Sequence, residues 1–130
     1  MKNSSKADYV LMRVHDFVAL PAPRPAAVLL DRLWPRGISK ENMAGVAWEK
    51  DATPSTELRM WFHADPDGRF DELQKRFAAE LQAPAAQAAL RRIAAQAKTA
   101  GAYMVLLTAS KNLERCQLPV LQKALQQLAV

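Results

Sequence analysis

Two arginines and a tryptophan lie close together in "DRLWPRG", residues 31–37, directly after an apolar run. Arg32 and Arg36 each carry a planar guanidinium that can bind a phosphate or a carboxylate through paired hydrogen bonds. Trp34 offers a flat face on which a ring or a guanidinium can stack. These residue types favour an anion-binding loop. An alternative is structural: Asp31 pairs with one arginine, and Trp34 packs over a helix.

A second charged segment, "TASKNLERC", follows the last strongly apolar run of the chain. Its Lys111 can add positive charge to an anion site. Its thiol, Cys116, would have a lowered pKa if it lay at a helix start beside Lys111 and Arg115. The alternative is a buried and inert cysteine. The phosphatase pattern "CxxxxxR" is absent, and we predict that Cys116 is not a catalytic nucleophile because its polar partners are missing.

Two further side chains are candidates for a catalytic role. His63, in "WFHADP", titrates near neutral pH and can act as a general acid or base. The structural alternative is a histidine that hydrogen-bonds a chain end. Ser55 can orient a ligand or help to transfer a proton, but no "GxSxG" surrounds it, and a helix cap is the more typical role.

Metal and nucleotide sites of the common types find no support in the sequence. The chain has two histidines and one cysteine, far apart, which do not supply a tetrahedral metal site. It contains neither a Walker loop nor "GxGxxG". We therefore predict no metal and no cofactor.

The elements that must position these residues follow from the hydrophobic pattern. Strands are predicted over "ADYVLMRVHDF" (7–17), "AAVLLDRL" (26–33) and "AYMVLLTAS" (102–110), with a proline-rich loop between the first two. Ser39 caps a predicted helical turn at "SKEN". Helices are predicted over 52–64, 65–81, 83–101 and 118–130. The first is begun by Pro54 or capped by Ser55, and the second has Asp65 as its cap and Pro66 at its first position.

This order of elements predicts a single small α/β domain, with a central, mostly parallel sheet flanked by helices. It spans residues 1–130, and we expect residues 1–6 to be flexible. The first two strands lack a helical crossover between them, so they need not be parallel neighbours. Ligands in such folds bind beyond the carboxyl ends of the strands. We therefore expect "DRLWPRG" and "TASKNLE" to lie at the same edge of the sheet.

Charge and composition limit the class of partner. The net charge of +5 favours anionic partners, although the basic residues are scattered rather than grouped in a block. We expect a small anionic ligand bound by Arg32, Arg36 and Lys111, with Trp34 as a wall; whether such a pocket catalyses a reaction stays open. The alternatives are a nucleic-acid-associated or regulatory module with a basic surface, and a protein-interaction module. With no apolar segment suited to a signal peptide or a membrane helix, we expect a cytoplasmic protein.

Four segments, "DRLWPRGISKE", "ATPSTELRMWFHADP", "F...FAAEL" and "VLLTASKNLE", resemble in this order the YeaO-like family, part of domain of unknown function 488. The resemblance extends from about Arg13 to Leu121. It implies a single-domain α/β fold but no particular reaction. The wider family often has a Cys-His-Arg sequence, where this chain has "CQL". The resemblance therefore does not imply a mechanism that needs a histidine beside Cys116.

Overall fold

The strand that comes last in the sequence is one of the two central strands of the sheet. Residues 7–128, which the computed structural model describes, form four strands: β1 (Asp8–Arg13), β2 (Ala27–Leu29), β3 (Ala47–Trp48) and β4 (Tyr103–Thr108). Their order in the sheet is β1-β4-β2-β3, and every pair is parallel. The structure thus confirms the predicted α/β class. It also agrees with the expectation for β1 and β2, which are separated by β4.

Five α-helices and two short 3-10 turns accompany the sheet in the described part of the chain. The described residues form α1 (Val14–Val18), α2 (Thr56–His63), α3 (Pro66–Glu80), α4 (Pro84–Thr99) and α5 (Gln117–Gln127), with 3-10 turns at Glu41–Met43 and Lys50–Ala52. Among these residues, no helix combines the length and the apolar character that crossing a membrane requires.

Alternate side chains of the central strands enter two separate cores. Val28, Met104 and Leu106 face one core together with apolar residues of α2, α3, α4 and α5. Leu29 and Leu107 face the other core, which is covered by α1 and by loops. Burial on both faces explains why these strands are almost continuously apolar in sequence. The charged residues of the two segments therefore lie beyond the carboxyl ends of these strands and not within them.

The predicted helix starts are confirmed by hydrogen bonds. Ser55 Oγ accepts a hydrogen bond from Leu58 N at 3.2 Å at the start of α2. Asp65 Oδ1 accepts a hydrogen bond from Gly68 N at 3.2 Å at the start of α3, where Pro66 is the first residue. At the 3-10 turn, Ser39 Oγ accepts from Asn42 N at 3.1 Å, although the cap position is that of Lys40 and not the predicted Ser39.

Two strand predictions were too long, and one strand was missed. The predicted strand 7–17 ends at Arg13, because Val14 and Phe17, one helical turn apart, both enter the second core from α1. The predicted strand 26–33 is only β2. Beyond β2, Ala109 N donates its hydrogen bond to the side chain of Asp31 and not to a backbone carbonyl of this segment. The short strand β3 had no predicted counterpart.

The other boundaries moved by only a few residues. The predicted helix 52–64 begins at Thr56 because residues 50–52 form a 3-10 turn. The helix 83–101 is α4, and the strand 102–110 is β4. The predicted terminal helix is α5 as far as Gln127; its last residues, 129–130, and the expected flexible segment, 1–6, lie outside the described residues.

Candidate functional site

The two charged segments meet at the carboxyl edge of the sheet through one carboxylate. Asp31 accepts hydrogen bonds from Thr108 Oγ1 at 2.6 Å, from Ala109 N at 2.8 Å and from Gln117 Nε2 at 2.9 Å. This confirms that "DRLWPRG" and "TASKNLE" share one edge. The alternative in which Asp31 pairs with an arginine is wrong, because within residues 7–128 no arginine forms an ion pair with this carboxylate.

The partners of Asp31 also bind one another. Thr108 Oγ1 accepts hydrogen bonds from Ser110 N at 3.1 Å and from Gln117 Nε2 at 3.3 Å. The same Gln117 nitrogen donates to Leu30 O at 2.9 Å. We call Asp31, Thr108 and Gln117 the anchored set, since each side chain joins the ends of β2 and β4 or the start of α5. Sequence reasoning noted Gln117 only as a departure from the family pattern.

A cavity of about 350 Å³ opens above this edge. Its volume falls within the range of small-molecule sites. Its charged or titratable lining residues are Asp31, Arg32, Arg36, Arg59 and His63. Its apolar lining includes Leu33, Trp34, Pro35, Pro54, Phe62 and Leu73. Three arginines against one carboxylate make the cavity electropositive.

Arg32 is held by backbone carbonyls. Its Nε donates to Pro54 O at 2.8 Å, and its Nη2 lies 3.5 Å from Thr53 O. Within residues 7–128, Arg32 forms no ion pair with a carboxylate. The segment before α2 presents its free carbonyls to the guanidinium, so Arg32 fixes that segment against the "DRLWPRG" loop.

Two of the predicted site residues lie elsewhere. The Ser55 hydroxyl donates to Glu80 Oε2 at 2.6 Å, in addition to capping α2, and Ser55 does not line the cavity. Lys111 is exposed and also lies outside the lining. The loop after β4 contributes Ser110 as its last lining residue, one position earlier.

Trp34 is a fixed wall of the cavity. Its Nε1 donates to Ile38 O at 2.7 Å, and its ring meets Trp48 edge to face, with centroids 5.2 Å apart. Trp48 in turn donates from Nε1 to Asp31 O at 2.7 Å. Trp34 thus packs against a second tryptophan, at the end of β3, and against the core that α1 covers.

Three cationic or titratable side chains of the cavity remain unpaired. Within residues 7–128, the side chains of Arg36, Arg59 and His63 make no hydrogen bond or ion pair, so the alternative of His63 bound to a chain end is not observed. We call these three residues the open set. Arg59 was missed by the sequence analysis, although it lies four residues before His63 and so shares a face of α2 with it.

The protonation of His63 reflects its neighbours. Loss of water around the ring lowers the pKa of His63, the positive charge of Arg59 lowers it further, and the negative charge of Asp31 partly opposes both. The imidazole is therefore largely neutral near pH 7 and can accept a proton.

Cys116 is a buried part of the core. It is only 2% exposed, its thiol lies 3.6 Å from Leu113 O, and burial raises its pKa to about 11. The alternative of a lowered pKa is wrong, because desolvation outweighs the hydrogen bonds that favour the thiolate. In the part of the chain that the structure describes, no group of three or more His, Cys, Asp or Glu side chains is placed to hold a metal ion.

Comparisons with known proteins identify sequence relatives and a family. The chain is 40% identical to "Uncharacterized protein Rv3073c" of Mycobacterium tuberculosis over 98 residues, which cover 75% of this chain and 78% of the relative. It is 58% identical to "Uncharacterized protein YeaO" of Escherichia coli over 38 residues, 29% of this chain and 33% of that protein. No solved structure matches the chain. The family described as "Domain of unknown function DUF488" matches residues 13–125, and the chain therefore belongs to this family.

Proposed function

We propose that the cavity at the carboxyl edge of the sheet binds a small anionic ligand through a phosphate or a carboxylate group. One observation carries the proposal. Asp31 is the one carboxylate among the lining residues that the structure describes, and its oxygens accept hydrogen bonds from Thr108, Ala109 and Gln117. Within residues 7–128 it forms no ion pair with Arg36 or Arg59, and its single negative charge is outnumbered by the three guanidinium groups of the cavity.

Within the open set, each side chain has a distinct role. Arg36 and Arg59 bind the anion, because both line the cavity and neither has a polar partner among residues 7–128. Arg32 belongs to the site as a positioning residue, since its Nε is bound to Pro54 O. Trp34 supplies a wall. Lys111 lies outside the lining and is not part of the proposal.

A reaction at this site would use His63. It lines the cavity, and its lowered pKa leaves a neutral ring that can take a proton from a bound ligand and return it. The Ser55 hydroxyl is bound to Glu80 and does not take part. Anion binding, the central proposal, does not depend on this step.

The basic surface does not favour the nucleic-acid alternative. Arg69 and Arg76 lie over the ring of Trp61, at 4.9 and 4.4 Å from its centroid. Arg115 lies 5.5 Å from the ring centroid of Phe70. Aromatic rings that would stack on bases are therefore already covered by cations of the chain itself. These contacts account for part of the positive charge as local structure.

The proposal is tested by isothermal titration with inorganic phosphate and with acetate at low ionic strength. We expect Arg36→Ala and Arg59→Ala each to weaken binding about tenfold or more, since each removes a charged hydrogen-bond donor. Lys98→Ala is the matched control. It removes the same charge from an exposed position at the end of α4, before the amino end of β4, and we expect less than about a twofold change. No binding by the wild type, or an equal loss in the control, would contradict the proposal.

A further inference from the structure

The cavity exposes a large apolar side chain to water. Leu33, in the "DRLWPRG" loop, is 59% exposed and lines the cavity. Exposed apolar surface is unfavourable in water, and covering a leucine side chain is a substantial source of binding free energy. Phe62 and Leu73, from α2 and α3, line the same space and are otherwise buried. An apolar surface thus adjoins the cationic group of Arg36, Arg59 and His63.

The volume of the cavity exceeds that of a simple oxyanion. At roughly 30 Å³ for each water-sized group, 350 Å³ holds about a dozen such groups. Neither inorganic phosphate nor acetate has more than about five non-hydrogen atoms, so either ion would fill less than half of that space. A ligand that fills the cavity therefore needs a body of about half a dozen further atoms beside its anionic group.

We infer that the ligand is an anion with an apolar, ring-sized body, which lies against Leu33, Trp34 and Phe62 while its charged group binds Arg36 and Arg59. This inference rests on the proposed function and specifies the chemical class of its ligand. A rigid ring suits the site because Trp34 is fixed by its bond to Ile38 O, and Pro35 stiffens the loop beside it. A rigid body also loses less conformational entropy on binding than a flexible chain of equal size.

The test compares phenyl phosphate with inorganic phosphate by isothermal titration, for the wild type and two variants. Leu33→Ala shortens the exposed apolar wall. Met60→Ala is the matched control, because Met60 is 64% exposed on α2 yet does not line the cavity. Thermal melts of both variants check that each remains folded, as their exposure predicts.

We expect phenyl phosphate to bind the wild type at least about tenfold more tightly than inorganic phosphate. Leu33→Ala should weaken phenyl phosphate about fivefold to tenfold and change inorganic phosphate less than about twofold. Met60→Ala should leave both unchanged. Benzoate compared with formate should show the same preference if the anionic group is a carboxylate.

The possible failures are distinguishable. If phosphate binds through Arg36 and Arg59 but phenyl phosphate binds no more tightly, the apolar body is refuted and the anion site stands. If Leu33→Ala and Met60→Ala weaken phenyl phosphate equally, the apolar contribution does not come from this cavity, and the inference is refuted. If none of the phosphate and carboxylate compounds binds, the proposed function fails and the inference fails with it.

Discussion

The anchored set and the open set line one cavity but differ in how their polar groups are satisfied. Asp31, Thr108 and Gln117 bind one another and the backbone around them, across up to 87 residues of sequence. Arg36, Arg59 and His63 line the same cavity but bind no polar group of residues 7–128. The anchored set holds β2, β4 and α5 in register at the sheet edge. The open set contributes nothing of this kind to the fold.

This difference separates residues that stabilise the fold from residues that are free to bind. Buried polar groups are costly unless they are paired, so removing an anchored partner should destabilise the protein. Unpaired like charges in one cavity repel each other, so removing one should cost little or even stabilise. A functional site often keeps such unfavourable arrangements because its ligand completes them.

The largest expected effect is on the anchored set. Asp31→Ala removes the acceptor of three hydrogen bonds and should lower the free energy of unfolding by about 3 to 5 kcal/mol, measured by urea denaturation. Asp71→Ala, an exposed carboxylate on α3, is the control and should change it by less than about 0.5 kcal/mol. A loss below about 1 kcal/mol in Asp31→Ala would show that the anchored set does not hold the sheet edge.

The next largest expected effect is the protection of the Cys116 thiol from alkylation. Cys116 directly precedes Gln117 of the anchored set. Because burial raises its pKa to about 11, about two units above that of a free thiol, the thiolate fraction at pH 8 is about a hundredfold lower in the folded protein. Alkylation by iodoacetamide should be slower by at least this factor than in urea. Rapid, stoichiometric alkylation of the folded protein at pH 6 would instead reveal a stabilised thiolate.

The two arginines of the "DRLWPRG" loop should respond differently to truncation. Arg32→Ala leaves Pro54 O without its donor and should cost about 1 to 2 kcal/mol of unfolding free energy. Arg36→Ala should cost less than about 1 kcal/mol, as for a surface change. Chemical denaturation of both variants measures the difference. Equal costs would remove the distinction between a positioning arginine and a binding arginine.

The smallest expected effect is the pH dependence of anion binding. Its lowered pKa keeps His63 neutral near pH 7, and the ring gains a proton only below the ordinary value of about 6.5. Protonation adds positive charge to the cavity, so sulfate, whose own charge is constant here, should bind about threefold to tenfold more tightly once the pH has fallen below the lowered pKa of His63. In His63→Gln this increase should vanish. If the variant instead shows the same pH dependence of sulfate binding as the wild type, His63 is excluded from the site.

The local signals of the sequence predicted the helix starts and the main strands. Ser55, Asp65 and Pro66 act on the backbone within three residues of themselves, so their roles can be read from their neighbours alone. The apolar runs of β2 and β4 likewise reflect their own burial. The helix α1 was taken for strand because Val14 continues the alternation of Val10 and Met12 in β1.

The partners within the site could not be predicted in the same way. Asp31 and Thr108 are 77 residues apart, and only the parallel pairing of β2 with β4 brings them together. Arg32 binds backbone carbonyls, which carry no signal in the sequence. The place of Arg59 is different: the helical spacing to His63 was visible, and the residue was missed only because no motif drew attention to it.

The central claim is that the open set binds an anion without supporting the fold, and thermal melts of Arg36→Ala with and without sulfate test it most directly. Without sulfate, the melting temperature should stay within about 4 °C of the wild type, because Arg36 has no polar partner within residues 7–128. With sulfate, the wild type should gain stability and the variant should gain far less. If Arg36→Ala melts far below the wild type without sulfate, or gains as much stability from sulfate, Arg36 is not the binding residue that this account requires.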